Sequence, residues 1–382
     1  MTGSIRQRGN TFTAYWFTTD PATGKRLQHT KGGFKTKKAA QGHLNGIIGK
    51  VSDGTWRPDQ PLTVRQLLEE HWLPAQESRG LRPATLAQYR NVVRHWIVPR
   101  IGGVKVAALR PADVQQFVEQ LRTEKSSTGR AGLSPRSAQL SVGTLKSACA
   151  WAVECELLGR NPLAGVKRPR VGDRHMTAWS TEQARAFLEA TREDRLAAGW
   201  ALLLTRGLRR GELAGLRWEA IDLEAGSLQV IRTRVVVDGK AIDSVPKTSA
   251  GRRSVPLDVE LAGRLRAHRA RQSAERLAAG EAYSDEGYVL ADELGRPVHP
   301  DTVSDRFDGL VKLHGLPRIR LHDTRHTAAS LMLASGVPTK VVSELLGHSS
   351  PTITLGIYAH VLPGMAEEAG AELSASLLAA SR

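Results

Sequence analysis

The chain reads as a multidomain α+β protein. A small three-stranded sheet plus one helix comes first, an all-helical region follows, and the last region is mainly helical with a small antiparallel sheet. Three observations predict this. β-rich runs are confined to the N-terminal residues and to a stretch after Ser227, and apolar residues at helical spacing fill the remainder. A length of 382 residues also exceeds what one core ordinarily organises, so two or three domains are expected.

Within residues 1–58, residues 11–17 and 25–30 read as short strands around Pro21-Ala22-Thr23-Gly24, and a helix is predicted from 36 to about 52. Residues 1–60 carry ten Lys/Arg against three Asp. Residues 61–165 open on Thr63, a residue type that caps helix starts. A second helix is predicted over 81–96, with basic residues among its apolar ones. Further helices begin near Pro111 and at Ser134-Pro135, and residues 124–132, rich in Ser, Gly and Lys, read as an exposed loop. Asn161-Pro162 then breaks the helical pattern, and residues 166–178 read as a basic linker.

The third region runs from 179 to 382. Residues 204–213 predict an apolar helix, a turn marked by Gly207, and a second helix with arginine at the junction. Residues 227–237 predict a strand, Asp238-Gly239 a hairpin turn, and 240–246 the returning strand, so a small antiparallel meander is expected. The motif Leu321-His322-Asp323-Thr324-Arg325-His326-Thr327 follows, then a Gly347-His348-Ser349 turn between apolar helical runs, and then Tyr358. The tail over 365–380 is Ala- and Leu-rich and amphipathic, with packing on its own domain as the default expectation.

Composition narrows the function classes. The chain has 54 Lys+Arg against 38 Asp+Glu, a formal net charge of +16. Such an excess favours a polyanion through counterion release, although an anionic membrane surface would use the same charge. No apolar run reaches the roughly 18 residues a membrane span needs, and the first residues show no apolar signal core, so a protein of the cytoplasm, associated with the nucleoid, is expected. Two cysteines, Cys149 and Cys155, fall in the apolar pattern of one predicted helix. They read as structural, with neither a disulfide framework nor a zinc motif.

The chemistry lies in the C-terminal motifs. Positions i and i+3 of a helix share a face, so His322 and Arg325 would grip one phosphate together. A diester attacked by a protein oxygen builds negative charge that preorganised cationic donors stabilise. Tyr358 supplies a phenol oxygen able to attack phosphorus and keep the bond energy in a covalent link, so that rejoining needs no ATP.

The ordered set Arg209, Lys247, His322, Arg325, His348 and Tyr358 resembles the active site of the tyrosine recombinase, or phage integrase, family. The resemblance implies that Arg209 and Arg325 hold the non-bridging oxygens with help from His322 and His348. It further implies that Tyr358 attacks to give a 3′-phosphotyrosine and that Lys247 protonates the departing 5′ oxygen, with no metal or cofactor. Glu212 matches the acidic residue that holds the arginines in place. One departure is visible: the family commonly has Thr-Gly-Leu-Arg, whereas here Arg206 stands where the threonine would sit.

The N-terminal pattern resembles the family's arm-type DNA-binding domain, which implies DNA contacts from Arg6, Arg8, Lys25, Arg26 and Lys31. Residues 61–165 look like its helical core-binding (SAM-like) domain, which implies contacts from Arg90 and Arg94, with Lys167 and Arg168 in the linker. Expected partners are therefore double-stranded DNA at core-type and arm-type sites and a homo-tetramer on DNA, with an excision factor and a host DNA-bending protein as further possibilities. The tail would then either cap its own domain or dock on a neighbouring protomer. Three other readings fit part of this pattern: a type IB topoisomerase-like enzyme, a DNA-binding regulator that has lost activity, and a structural DNA-packaging protein.

Overall fold

The computed structural model describes residues 3–19, 24–52, 62–124, 132–170, 177–246 and 249–348, together with 350, 352 and 378. It divides into two compact units, Met1–Gly172 and Asp173–Arg382. The division falls inside the basic stretch 166–178.

The first unit begins with strands β1 (Ser4–Arg8), β2 (Thr11–Thr19) and β3 (Arg26–Phe34), antiparallel in the order β1-β2-β3. Helix α1 (Lys37–Ser52) covers one face, its start capped by Thr36 Oγ1, which accepts from the Ala39 amide. Ala14 and Trp16 of the central strand and Leu44 of α1 form the small core. β3 is exposed along most of its length.

The helical part of this unit contains α2 (Val64–Gln66), a π-helical turn (Leu67–Trp72) and α3 (Leu73–Ser78), which run on without interruption. Next come α4 (Pro83–Asn91), a second π-helical turn (Val92–Ile97) and α5 (Val98–Ile101), also continuous. Helices α6 (Pro111–Thr123) and α7 (Pro135–Glu154) complete it. Both π turns end two residues before a proline, Pro74 and Pro99. Leu73 donates to Leu68 O and Val98 to Val93 O, a spacing of five, so the widened turn lets a residue without an N–H pass inside a helix. The expected cap at Thr63 is present, with reciprocal bonds to Gln66. Cys149 is buried in α7 and its thiol is pushed up to about 12 by burial. Cys155, expected in the same apolar pattern, instead closes the helix at its exposed end.

The second unit contains α8 (Thr181–Ala190), α9 (Ala197–Arg206) and α10 (Arg210–Ala214), then β4 (Ile221–Asp222), β5 (Ser227–Val230), β6 (Thr233–Val237), β7 (Lys240–Ser244) and β8 (Arg253–Pro256). Among the described residues there follow α11 (Val259–Ala279), α12 (Pro300–Leu313), α13 (Asp323–Ala334) and α14 (Thr339–Leu346). The Asp238-Gly239 turn closes the β6–β7 hairpin as expected, both residues with positive φ. The meander, however, is two sheets. The chain breaks at Ile231-Arg232, β5 pairs with β4 and β8, and β6 and β7 form a separate ribbon. Aromatic packing of Trp179, Phe187, Trp200 and Phe307 anchors the core beneath. Among the described residues no helix is long and apolar enough to cross a membrane.

Candidate active site

Helix α9 stops at Gly207, whose left-handed φ of 61° turns the chain so that Leu208 and Arg209 run out before α10 begins. The Arg209 amide donates to Glu212 Oε2 at 3.0 Å and its Nη1 to Oε1 at 2.6 Å. Arg253, arriving on β8, donates to the same carboxylate through Nη2 at 2.9 Å and Nη1 at 3.2 Å. Glu212 is only 4% exposed. Burial alone would raise its pKa, yet the hydrogen bonds and charge of Arg253, with Arg209 beside it, hold the carboxyl below its ordinary value.

The end of α14 is gripped in the same way. Arg253 Nε donates to Leu345 O at 2.6 Å, Arg325 Nη2 to Leu346 O, and Arg209 Nη2 to Gly347 O at 3.1 Å. Three successive carbonyls at the negative end of a helix thus each receive a different guanidinium. Arg325, itself buried, also donates from Nη1 to Gly207 O at 2.7 Å, tying α13 to the turn that carries Arg209. Gly347 adopts φ 67°, and a Cβ there would stand 2.7 Å from Ala250 O and 3.0 Å from Arg253 Nη1. Three guanidiniums against one carboxylate leave the cluster positive, and their directions are fixed before any anion arrives.

Imidazoles complete the cluster. His322 stands at the N-cap position of α13, one turn before Arg325, and its ring meets that of His326 edge-on at 5.4 Å. His348 follows Gly347, its amide donating to Ser343 O at 3.0 Å. Burial, reinforced by Arg325 and Arg209, lowers the pKa of His348 to about 4. The same two causes, burial first and then Arg325, lower that of His322, and burial followed by His322 lowers that of His326. All three rings are therefore neutral near pH 7, each carrying one N–H and one unprotonated ring nitrogen. Asp323, beside them, is spent on Arg320, which holds it through contacts of 2.6 and 3.0 Å.

Arg209, Glu212, His322, Arg325 and His348 thus come together, whereas Lys247 and Tyr358 lie outside the described residues. Reading the sequence missed Arg253 and His326. The available signal for Arg253 was period two: it shares a strand face with buried Val255. Arg206, the departure from the family pattern, leaves the cluster alone and turns to Pro256 O at 2.7 Å and to Asp258. The neighbouring Arg210 pairs with Asp301 at 2.7 Å. The nine proposed DNA-contact residues all lie in the first unit and are exposed; Arg6 and Arg26 rest over the rings of Tyr15 and Phe17, and Arg90 pairs with Glu77 at 2.9 Å.

Comparison with known proteins gives three family matches: "Phage integrase family" over residues 177–364, "Arm DNA-binding domain" over 4–51 and "Phage integrase, N-terminal SAM-like domain" over 63–122. A relative described as tyrosine recombinase XerC-like, from Caldanaerobacter subterraneus subsp. tengcongensis, is 31% identical over 348 residues, covering 86% of this chain and 87% of its own. The Tn1549 transposon integrase in complex with a circular intermediate DNA superposes with a TM-score of 0.66 at 21% identity, over 82% of this chain and 99% of its own. A lambda integrase tetramer bound to a Holliday junction gives 0.57 at 18% identity, over 91% and 96%. At those identities the two structures speak for the fold.

Proposed function

The chain belongs to the phage integrase family of tyrosine recombinases, DNA strand-transferases, and from that premise we propose that it integrates or excises a phage or mobile element at specific sites. The observation that carries this is the buried cluster in which Glu212 and the α14 carbonyls aim Arg209, Arg253 and Arg325. A phosphate diester is the anion that such fixed donors suit, because charge added to its oxygens in the transition state meets donors that need no reorganisation.

In this reading Arg209 and Arg325 take the non-bridging oxygens, and neutral His322 and His348 add hydrogen bonds. The phenol of Tyr358 attacks phosphorus and gives its proton to a neutral imidazole. The bond from phosphorus to the 5′ oxygen breaks, and Lys247 protonates that oxygen. A 5′ hydroxyl from a partner duplex reverses the step and exchanges strands. The sheet of residues 1–58 would read arm-type sites, and residues 61–165 with the 166–178 linker would hold the core site. The remainder, 179–382, would cut. Assembly as a homo-tetramer on DNA is part of the proposal, as is assistance from an excision factor or host bending protein.

The test uses nicked suicide duplexes drawn from the DNA flanking the gene, incubated in EDTA with wild type and Tyr358→Phe. A denaturation-resistant protein–DNA adduct with wild type alone is expected. An adduct with both variants moves the nucleophile elsewhere. Retained DNA binding without an adduct from either makes the chain a DNA-binding regulator.

A further inference from the structure

The β6–β7 ribbon ends three residues before Lys247, and it is held at two places that the reaction scheme above does not use. On one side β6 lies directly against α10, the helix that opens beside Arg209. A Cβ on Gly211 would stand 2.5 Å from Thr233 Oγ1 and 2.7 Å from Arg234 O, and one on Gly215 would stand 2.8 Å from Arg234 N. On the other side Asp243 of β7 enters a cluster of Tyr288, Arg217 and Arg234. The buried Tyr288 hydroxyl donates between the two Asp243 oxygens, at 2.8 and 2.7 Å, and accepts from Arg217 Nη2 at 3.0 Å. Arg217 also donates to Asp243 at 2.9 Å, and Arg234 Nε lies 3.5 Å from it. Both guanidiniums rest on the Tyr288 ring, 4.5 and 4.9 Å from its centre.

The ribbon needs such an anchor. It forms no ladder with the β4-β5-β8 sheet, and a cleft of about 470 Å³ opens at its base, lined by Ile231, Arg232, Asp243, Ser244, Val245 and Arg252. An unsupported two-stranded ribbon is marginally stable in water, so its direction is set by what holds its sides. Asp243 would otherwise be an ordinary half-exposed carboxylate; here it spends its charge on Arg217 and the Tyr288 phenol, which belong to the body of the domain, and on Arg234, its cross-strand partner in β6.

We infer that the Asp243–Tyr288–Arg217 cluster is a positioning device that aims the β6–β7 ribbon, and through it the lysine that follows, at the leaving 5′ oxygen. The inference rests on the reading of Lys247 as the general acid. In this inference Tyr288 and Asp243 act through the ribbon and not on the reacting atoms themselves.

The test compares suicide duplexes that carry either the ordinary 5′ oxygen or a bridging 5′ sulfur at the scissile phosphate. A thiolate, whose conjugate acid has a pKa of about 8.5, departs without a proton, whereas an alkoxide does not. Tyr288→Phe removes one hydroxyl, and Asp243→Asn keeps the shape while removing the charge; DNA affinity and thermal midpoint are measured for each. Both variants should cleave the oxygen substrate about tenfold more slowly, a part of the roughly 10²–10⁴-fold that a general acid contributes, and the sulfur substrate at the wild-type rate. Lys247→Ala should be slower still on oxygen and likewise restored by sulfur.

Wild-type cleavage of the oxygen substrate by Tyr288→Phe and Asp243→Asn would overturn the inference. So would a defect that sulfur leaves in place while it restores Lys247→Ala, since that pattern marks a general loss of structure. If sulfur fails to restore Lys247→Ala, the lysine is not the acid, and the positioning role falls with it.

Discussion

The helical part of the first unit and the second unit bury different kinds of side chain. The helical core gathers Leu67, Trp72, Ile97, Phe117, Leu145 and their neighbours, and among its described residues Gln76, Ser141 and Thr144 are the buried polar ones. The second unit has an apolar core as well, but it also buries Glu212, Asp323, Arg325 and His268. Burying a charge is expensive even when it is paired, and an apolar replacement is often as stable. Charge buried without need for stability marks the place where the chain has work to do, and in this chain that place surrounds Arg209.

The sharpest way to break the comparison is Glu212→Ala. It strands Arg253 and Arg209 together, so a loss of about 3–5 kcal/mol in stability is expected. Adduct formation should fall by at least about 10²-fold, as when a single aimed donor is lost. Thermal unfolding and adduct yield measure the two effects; a variant that stays active would show the carboxylate to be idle. Leu145→Ala, in the helical core, should cost about 2–5 kcal/mol while leaving the cleavage rate per folded molecule unchanged.

Acid sharpens the contrast without a mutation. His348 titrates at about 4 in the folded chain against 6.5 in the unfolded one, and His322 and His326 are also lowered. The unfolded chain therefore binds protons first, so stability is full above pH 6.5 and declines as pH falls toward 4. Glu212 and Asp323, both lowered, add to the loss below that, since their stabilisation vanishes as pH falls through their folded values. In the helical part the shifted carboxylate, Asp113, belongs to an exposed pair with Arg110. Calorimetry from pH 7 to 4.5 should show the second unit's transition moving down well before the helical one. Joint movement of the two would deny that the buried imidazoles matter. The smallest effect is expected for Arg206→Thr, which restores the family pattern. It removes a partly exposed ion pair with Asp258, so a change of about 0–1 kcal/mol and unaltered cleavage are expected.

Local signals in the sequence carried much of this. Thr63 and Ser134 cap the helices expected of them, Asp238-Gly239 closes its hairpin, and Gly207 ends α9 where a turn was expected. What stayed hidden depends on partners distant along the chain. Arg253 meets Glu212 across 41 residues and Leu345 across 92, and no local pattern announces such a meeting. Pro74 and Pro99 argue for helix ends, and only the packed structure shows the widened turns that absorb them. The split of the meander into two sheets likewise follows from where β6 docks, on the bare backbone of α10.

The fit of Gly347 against Ala250 and Arg253 bears on how this molecule can be recombined with its relatives. The turn that follows the lysine and the turn that precedes His348 are cut to each other's outline. A hybrid that takes one from a donor protein and keeps the other inherits a mismatch at the centre of its chemistry. Splice points belong outside both, before 247 and after 348, and a mutational library would do well to vary 249–253 and 345–348 as one locus.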